Sequence, residues 1–180
     1  MKRLLFGVWA LGASLAAIAD PCVDRIPKTL QVLLQRQFPG ERLPLASDSD
    51  AEDLRYAAQR GNRCLLATVA DLDGDGRPDV ALVLPARDGS GYRLVAALQA
   101  GERYRVQSLG TADGPVRSLY VEMAPPGTYR QTEAFPFAPA PGLAEQVDTR
   151  HQGFYFGRVE SAADVYVLKQ GQWLHVHVSD

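Results

Sequence analysis

The sequence predicts an α+β fold with one or two N-terminal helices packed on a largely antiparallel sheet of hairpins. Apolar residues with helical spacing occur before Gly61. From Arg63 onward, short alternating apolar runs are separated by turns rich in glycine, aspartate and proline. Helices and strands that occupy separate parts of a chain are typical of α+β proteins.

The first nineteen residues have the pattern of a secretory signal peptide. Lys2 and Arg3 precede an apolar run, and the small residues Ala17-Ile18-Ala19 form a cleavage site. The run is shorter than the ~20 residues that a spanning helix needs. We therefore expect a signal peptide over 1–19, a single domain over 20–180, and no membrane span in the mature chain.

Export also restricts the partners. Loss of Lys2 and Arg3 takes the formal charge from −2 to −4, which disfavours nucleic acid and anionic membrane surfaces. We expect a periplasmic or secreted protein whose partner is an unidentified protein or cell-surface component. Cys22 and Cys64 are the two cysteines of the chain, and an oxidising compartment predicts that they form a disulfide.

Two helices are expected between the cysteines. The first begins near Pro27, which suits a first helical turn, and ends at Pro39-Gly40. Its apolar residues form one stripe: Ile26, Leu30, Leu33, Leu34 and Phe38. The second runs from about Asp50 to Arg60, with Ser49 or Asp50 as its N-cap and Gly61 as its end.

Eight strands are expected after the helices: Cys64–Ala70, Val80–Leu84, Tyr92–Leu98, Tyr104–Leu109, Val116–Met123, Gly153–Val159, Ala163–Leu168 and Trp173–Val178. Successive runs from Tyr92 to Met123 are expected to pair as hairpins, and the last three runs as closing antiparallel strands. The proline-rich segment 133–146 is expected to be an irregular surface loop.

The first two strands flank an acidic loop with the pattern of a calcium site. The predicted ligands are four aspartates and one backbone carbonyl: Asp71, Asp73, Asp75, the Arg77 carbonyl and Asp79. Calcium takes six to eight oxygen ligands in a flexible geometry, and Gly74 and Gly76 permit a tight wrap. The alternative is a plain acidic turn, but these carboxylates would repel one another without a cation.

The loop differs from an EF-hand, because its twelfth position is Leu82 instead of glutamate and its flanks read as strands. It resembles the calcium loops of FG-GAP and VCBS-type repeats, in which D-x-D-x-D-G-x-x-D precedes an apolar strand. That resemblance implies the same ligand set. Such repeats build propellers in series, whereas this chain has one copy, so no propeller is expected.

Most of the mature chain resembles an uncharacterised family of exported bacterial proteins that carry a single loop of this type. The resemblance lies in Phe38–Pro44, in Cys64 ahead of Asp71–Asp79, and in the ending Trp173–Asp180. It implies the calcium loop and no activity.

The sequence contains no recognisable catalytic motif. His175 and His177 lie on one face of a predicted strand and could chelate a metal if a third ligand such as His151 or Asp180 approached. The alternative is an exposed strand face opposite Leu174, Val176 and Val178, which we favour because two histidines do not complete a zinc shell.

Three functions fit these observations. The leading hypothesis is a non-enzymatic calcium-binding protein that acts as a binding or structural module, with Ca2+ stabilising the strand-loop-strand element. The second is an immunity- or inhibitor-type protein that blocks an exported toxin or hydrolase. The third is a hydrolase with a structural calcium.

Overall fold

The structure is a computed structural model that describes residues 19–133 and 137–179. The expected signal peptide, apart from Ala19, lies outside the described residues, as does Asp180. The helices are α1 (Pro21–Asp24), α2 (Lys28–Gln37) and α3 (Ala51–Gln59), with a 3-10 turn at Ala46–Asp48. The strands are β1 (Ala67–Ala70), β2 (Asp79–Pro85), β3 (Gly91–Ala100), β4 (Arg103–Asp113), β5 (Leu119–Ala124), β6 (Gly127–Arg130), β7 (Gln146–Thr149), β8 (Gly153–Arg158), β9 (Ala163–Lys169) and β10 (Gln172–Ser179).

The predicted α+β class is confirmed, and the strands form two four-stranded antiparallel sheets instead of one. The first sheet has the order β1-β2-β3-β4, and the second has the order β10-β9-β8-β5. The antiparallel strands β6 and β7 form a small two-stranded sheet, which packs on the second sheet through Val147. The order of the layers is therefore helix α2, first sheet, second sheet and two-stranded sheet.

Strand β2 is buried along its whole length because both of its faces are covered. Val80, Leu82 and Leu84 share a core with α2, whose Leu30 and Leu34 are buried. Their neighbours along the strand point to the opposite face, and Ala81 and Val83 belong to the core shared with the second sheet. A continuous apolar run is the expected sequence of a strand covered on both faces.

Both predicted helices are present, and Asp50 is the N-cap of α3, where its carboxylate accepts a hydrogen bond from the Glu52 N–H at 2.9 Å. The short helix α1 was not predicted. The Asp20 carboxylate caps it by accepting from the Cys22 N–H at 2.9 Å.

The predicted disulfide is confirmed between Cys22 and Cys64, with a sulfur–sulfur distance of 2.00 Å. It attaches α1 to the segment that leads into β1. The Arg25 guanidinium reinforces this attachment by donating to the Ala67 carbonyl at 2.9 Å. The N-terminus is therefore fastened beside the strand that enters the acidic loop.

The prediction of a hairpin between the runs Tyr104–Leu109 and Val116–Met123 is wrong. Strand β5 pairs with β8, with Leu119 opposite Arg158, and lies in the second sheet. Gly114 and Pro115 directly follow β4 and lie outside any strand. The buried Leu119 and Val121 of β5 then pack in the core between the two sheets. Strands β6 and β7 were not predicted, whereas the three closing strands β8, β9 and β10 are confirmed.

Candidate metal centre

The acidic loop joins β1 to β2 as predicted, and a buried side chain anchors it. Leu72 is fully buried in the core between the two sheets. This one apolar residue holds the start of the loop against the sheets, while Gly74 to Pro78 are exposed. The loop therefore has a fixed base and an accessible tip.

Three carboxylates converge at the base of this loop. Asp71, Asp73 and Asp79 each place one oxygen so that all three oxygens lie within 4.8 Å of one another. Asp71 and Asp73 are half-buried, and Asp79 is fully buried. Within residues 19–133 and 137–179, no other three acidic, histidine or cysteine side chains come together in this way. Carboxylate oxygens are hard donors, so this donor set suits a hard divalent cation.

The loop is wound by hydrogen bonds from its own backbone to its carboxylates. Asp71 accepts from the N–H groups of Gly74 at 2.8 Å and Gly76 at 3.0 Å. Asp73 accepts from the Asp75 N–H at 3.2 Å. Gly74 and Gly76 have φ values of 78° and 80°, which glycine adopts without strain. The wrapped shape is thus built from the aspartate and glycine residues of the motif.

Asp79 has a second role as a buried connection between the loop and the first sheet. Its two carboxylate oxygens accept from the Leu72 N–H at 2.8 Å and from the Gln99 N–H at 2.7 Å. Burial raises the pKa of Asp79 above its usual value, and the negative charges of Asp73 and Asp75 add to this rise. The hydrogen bonds from Gln99 and Leu72 lower the pKa but do not cancel the rise. A cation placed among these carboxylates would oppose that rise.

Asp75 and Arg77 stand apart from the three converging carboxylates. Asp75 accepts from the Arg77 N–H at 2.8 Å, and its second oxygen lies 3.6 Å from Arg77 Nη1. Both residues are exposed at the loop tip. Ligation through the Asp75 carboxylate and the Arg77 carbonyl stays a prediction.

Two residues that the sequence did not single out for this site support the loop from the second sheet. The side-chain carbonyl of Gln152 accepts from the Asp71 N–H at 2.7 Å. A β-carbon on Gly74 would lie 3.3 Å from the His151 Cβ. Both residues lie in the connection from β7 to β8, far from the motif in sequence, and no local pattern in the sequence could have revealed them.

The three histidines do not form one site. His151 lies against the acidic loop, whereas His175 and His177 lie on β10 beside Asp164 of β9. Asp164 Oδ2 is 3.2 Å from His175 Nδ1, and Oδ1 is 2.8 Å from His177 Nδ1. Because an ionised carboxylate only accepts hydrogen bonds, both Nδ1 atoms donate to it. The two histidines share one strand face as predicted, but that face is half-buried instead of exposed.

No described helix is both long and apolar enough to cross a membrane. Comparison with known proteins finds no family model, no curated protein and no solved structure that matches this chain.

Proposed function

We propose that this chain is an exported, non-enzymatic protein that binds Ca2+ at Asp71, Asp73 and Asp79. The ion would stabilise the β1-loop-β2 element of a binding or structural module. The observation that carries the proposal is the convergence of three carboxylate oxygens within 4.8 Å at the base of the loop. The setting of the loop, between two antiparallel strands, supports its resemblance to FG-GAP and VCBS-type loops.

The proposed stabilisation follows from charge. Three carboxylates this close repel one another when all are ionised, and bound calcium would supply two positive charges among them. Asp79 is also joined to β3 through Gln99, and Asp71 is joined to the second sheet through Gln152. We propose that a change in the order of the loop would reach both sheets through these two hydrogen bonds.

The proposed location supports this use of the loop. Extracellular calcium modules work with dissociation constants of about 0.1 to 1 mM. A site of this affinity binds calcium more weakly than a cytosolic sensor does, but it stays occupied in a calcium-rich compartment. We propose that the partner is a protein or cell-surface component recognised by the calcium-stabilised fold.

A calcium titration by calorimetry on the oxidised protein tests the proposal. Asp73→Asn keeps the side-chain oxygen that accepts from the Asp75 N–H but removes one charge, and it should weaken binding about tenfold. Asp113→Asn, at the exposed end of β4, makes the same charge change away from the loop and should leave affinity unchanged. Equal affinity in Asp73→Asn and the native protein would contradict the assignment.

A further inference from the structure

A second feature of the molecule is a cavity between helix α3 and strand β5. Its volume is about 350 Å³, within the range typical of small-ligand sites. Helix α3 contributes Asp53, Tyr56 and Ala57, and its C-cap residue Arg60 continues the same face at position i+7. Ala57 is the one described residue of this helix that is buried. The face of α3 that carries Ala57 therefore forms one wall of this cavity.

The helix is held over this space by its ends. At the N-terminus, the Asp50 N–H donates to the Arg117 carbonyl at 2.9 Å. The side chains of the same two residues form an ion pair, with Arg117 Nη2 at 3.3 Å from Asp50 Oδ2. Beyond the C-terminus, the Asn62 side-chain carbonyl accepts from Arg25 at 2.8 Å and from the Cys64 N–H at 3.1 Å. The cavity therefore lies between two anchored ends.

The cavity wall combines aromatic rings with carboxylates. Tyr56 and Tyr120 supply the rings, and the carboxylates come from α3, from β5 and from the β8-β9 turn: Asp53, Glu122 and Glu160. Arg60 is the one basic residue of the lining, so the charges of the wall sum to −2. An aromatic wall with excess negative charge is chemically suited to an organic cation.

One cation of the chain already uses this aromatic surface. The guanidinium carbon of Arg60 lies 4.5 Å from the centre of the Tyr56 ring, the geometry of a cation–π contact. Tyr56 is 60% exposed, so its ring stands at the mouth of the cavity. The same chemistry would serve a guanidinium or ammonium group that arrives from outside.

We propose that the cavity between α3 and β5 binds a guanidinium or alkylammonium cation. The cation stacks on the tyrosine rings and is neutralised by Asp53, Glu122 and Glu160. A basic side chain of a partner and a free amine share this chemistry. The site is separate from the acidic loop and does not depend on calcium.

The test is an NMR titration of the oxidised protein in calcium, followed through backbone amides of α3 and β5. The peptide acetyl-Gly-Arg-Gly-amide is compared with the neutral peptide in which citrulline replaces arginine, and agmatine serves as the free cation. The arginine peptide should bind at least about threefold more tightly than the citrulline peptide. Tighter binding of the peptide than of agmatine would assign a partner side chain, and the reverse would assign a free amine. Equal binding of the arginine and citrulline peptides would overturn the proposal.

Glu122→Gln and Arg60→Gln should change the affinity for the arginine peptide in opposite directions. Glu122→Gln should weaken binding of the arginine peptide about threefold, whereas Glu102→Gln, in the exposed β3-β4 turn, makes the same change of charge and should have no effect. Arg60→Gln removes the competing cation and should strengthen binding. Loss of binding in Arg60→Gln, or equal weakening by both glutamate variants, would overturn the proposal.

Glu160 allows a test that cannot be mistaken for unfolding. Its φ is 57°, a conformation that glycine adopts more easily than any residue with a side chain. Glu160→Gly should therefore keep or raise the melting temperature while it weakens binding of the arginine peptide. Unchanged binding with a raised melting temperature would show that Glu160 takes no part in the site.

Discussion

The side-chain carbonyl of Gln152 accepts a hydrogen bond from the backbone N–H of Asp71 at 2.7 Å, although 81 positions separate them in the chain. Asp71 opens the acidic loop after β1, and Gln152 directly precedes β8. This contact joins the loop to the second sheet at the point where the loop leaves the first sheet. We therefore expect the order of the loop to be coupled to the packing of the two sheets.

The first prediction concerns this contact. Gln152→Ala leaves the half-buried Asp71 N–H without its partner and should lower the free energy of unfolding by about 1 kcal/mol. It should also weaken calcium binding, because Asp71 loses its support. Gln107→Ala, on the exposed β4, is the matched control in urea unfolding. Equal losses in the two variants would argue against the coupling.

The second prediction compares the two loop glycines. Alanine at either position is strained by the positive φ of 78° or 80°, at a cost of about 1 kcal/mol. At Gly74 the new β-carbon would also lie 3.3 Å from His151, whereas at Gly76 it would meet open space. Gly74→Ala should therefore be the more destabilising in thermal unfolding. If Gly76→Ala were the more destabilising variant, the close contact with His151 would not add to the cost of alanine at Gly74.

The third prediction concerns the disulfide. Cys22 and Cys64 are 42 positions apart, and closing a loop of this length contributes about 4 kcal/mol in the chain-entropy model. The double variant Cys22→Ala with Cys64→Ala should be less stable by roughly that amount in urea unfolding. The double variant should still bind calcium where it remains folded, since Cys22 and Cys64 lie outside the ligand set. Loss of calcium binding by the folded variant would contradict this separation.

The fourth prediction concerns acid. Burial raises the pKa of Asp164, but hydrogen bonds from His175 and His177 outweigh it and leave the pKa below its usual value. Because the folded pKa is depressed, this stabilisation is present above the unfolded pKa of about 3.9 and is lost as the pH falls through the folded pKa. The stabilisation that ionised Asp164 contributes is therefore lost below about pH 4.

Asp164→Asn isolates this effect from the carboxylates of the loop. In chelator, the variant should be less stable than the native protein at pH 6, and the difference should shrink as the pH falls below 4. Urea unfolding at a series of pH values measures the difference. A difference that stays constant across this range would show that ionised Asp164 is not the source of the stabilisation.

Local patterns in the sequence predicted the local features of the molecule. The alternation of Asp71, Asp73 and Asp75 predicted a wrapped loop with its carboxylates turned inward, because Gly74 and Gly76 permit a tight wrap. The helix bounds followed from Asp50 and Gly61, whose capping and terminating roles are also local. The disulfide followed from the expected compartment and from the presence of two cysteines.

Contacts between distant parts of the chain could not be predicted in this way. The pairing of β5 with β8 depends on Leu119 and Val121 entering the core between the sheets, and a hairpin pattern contains no information about which sheet a strand joins. The hydrogen bonds of Asp79 to Gln99 and of Gln152 to Asp71 likewise depend on how the sheets pack. Sequence spacing predicted the acidic ligands but not their separation into Asp79 at the buried base and Asp75 at the exposed tip.

The most direct test of the central claim is thermal unfolding of the oxidised protein in chelator, in about 2 mM calcium and in about 2 mM magnesium. A ligand that binds only the folded state raises the melting temperature, so calcium should raise it by several degrees, and magnesium should raise it less. Asp73→Asn should lose most of the calcium-dependent rise. An equal melting temperature in calcium and in chelator would contradict a calcium site at Asp71, Asp73 and Asp79.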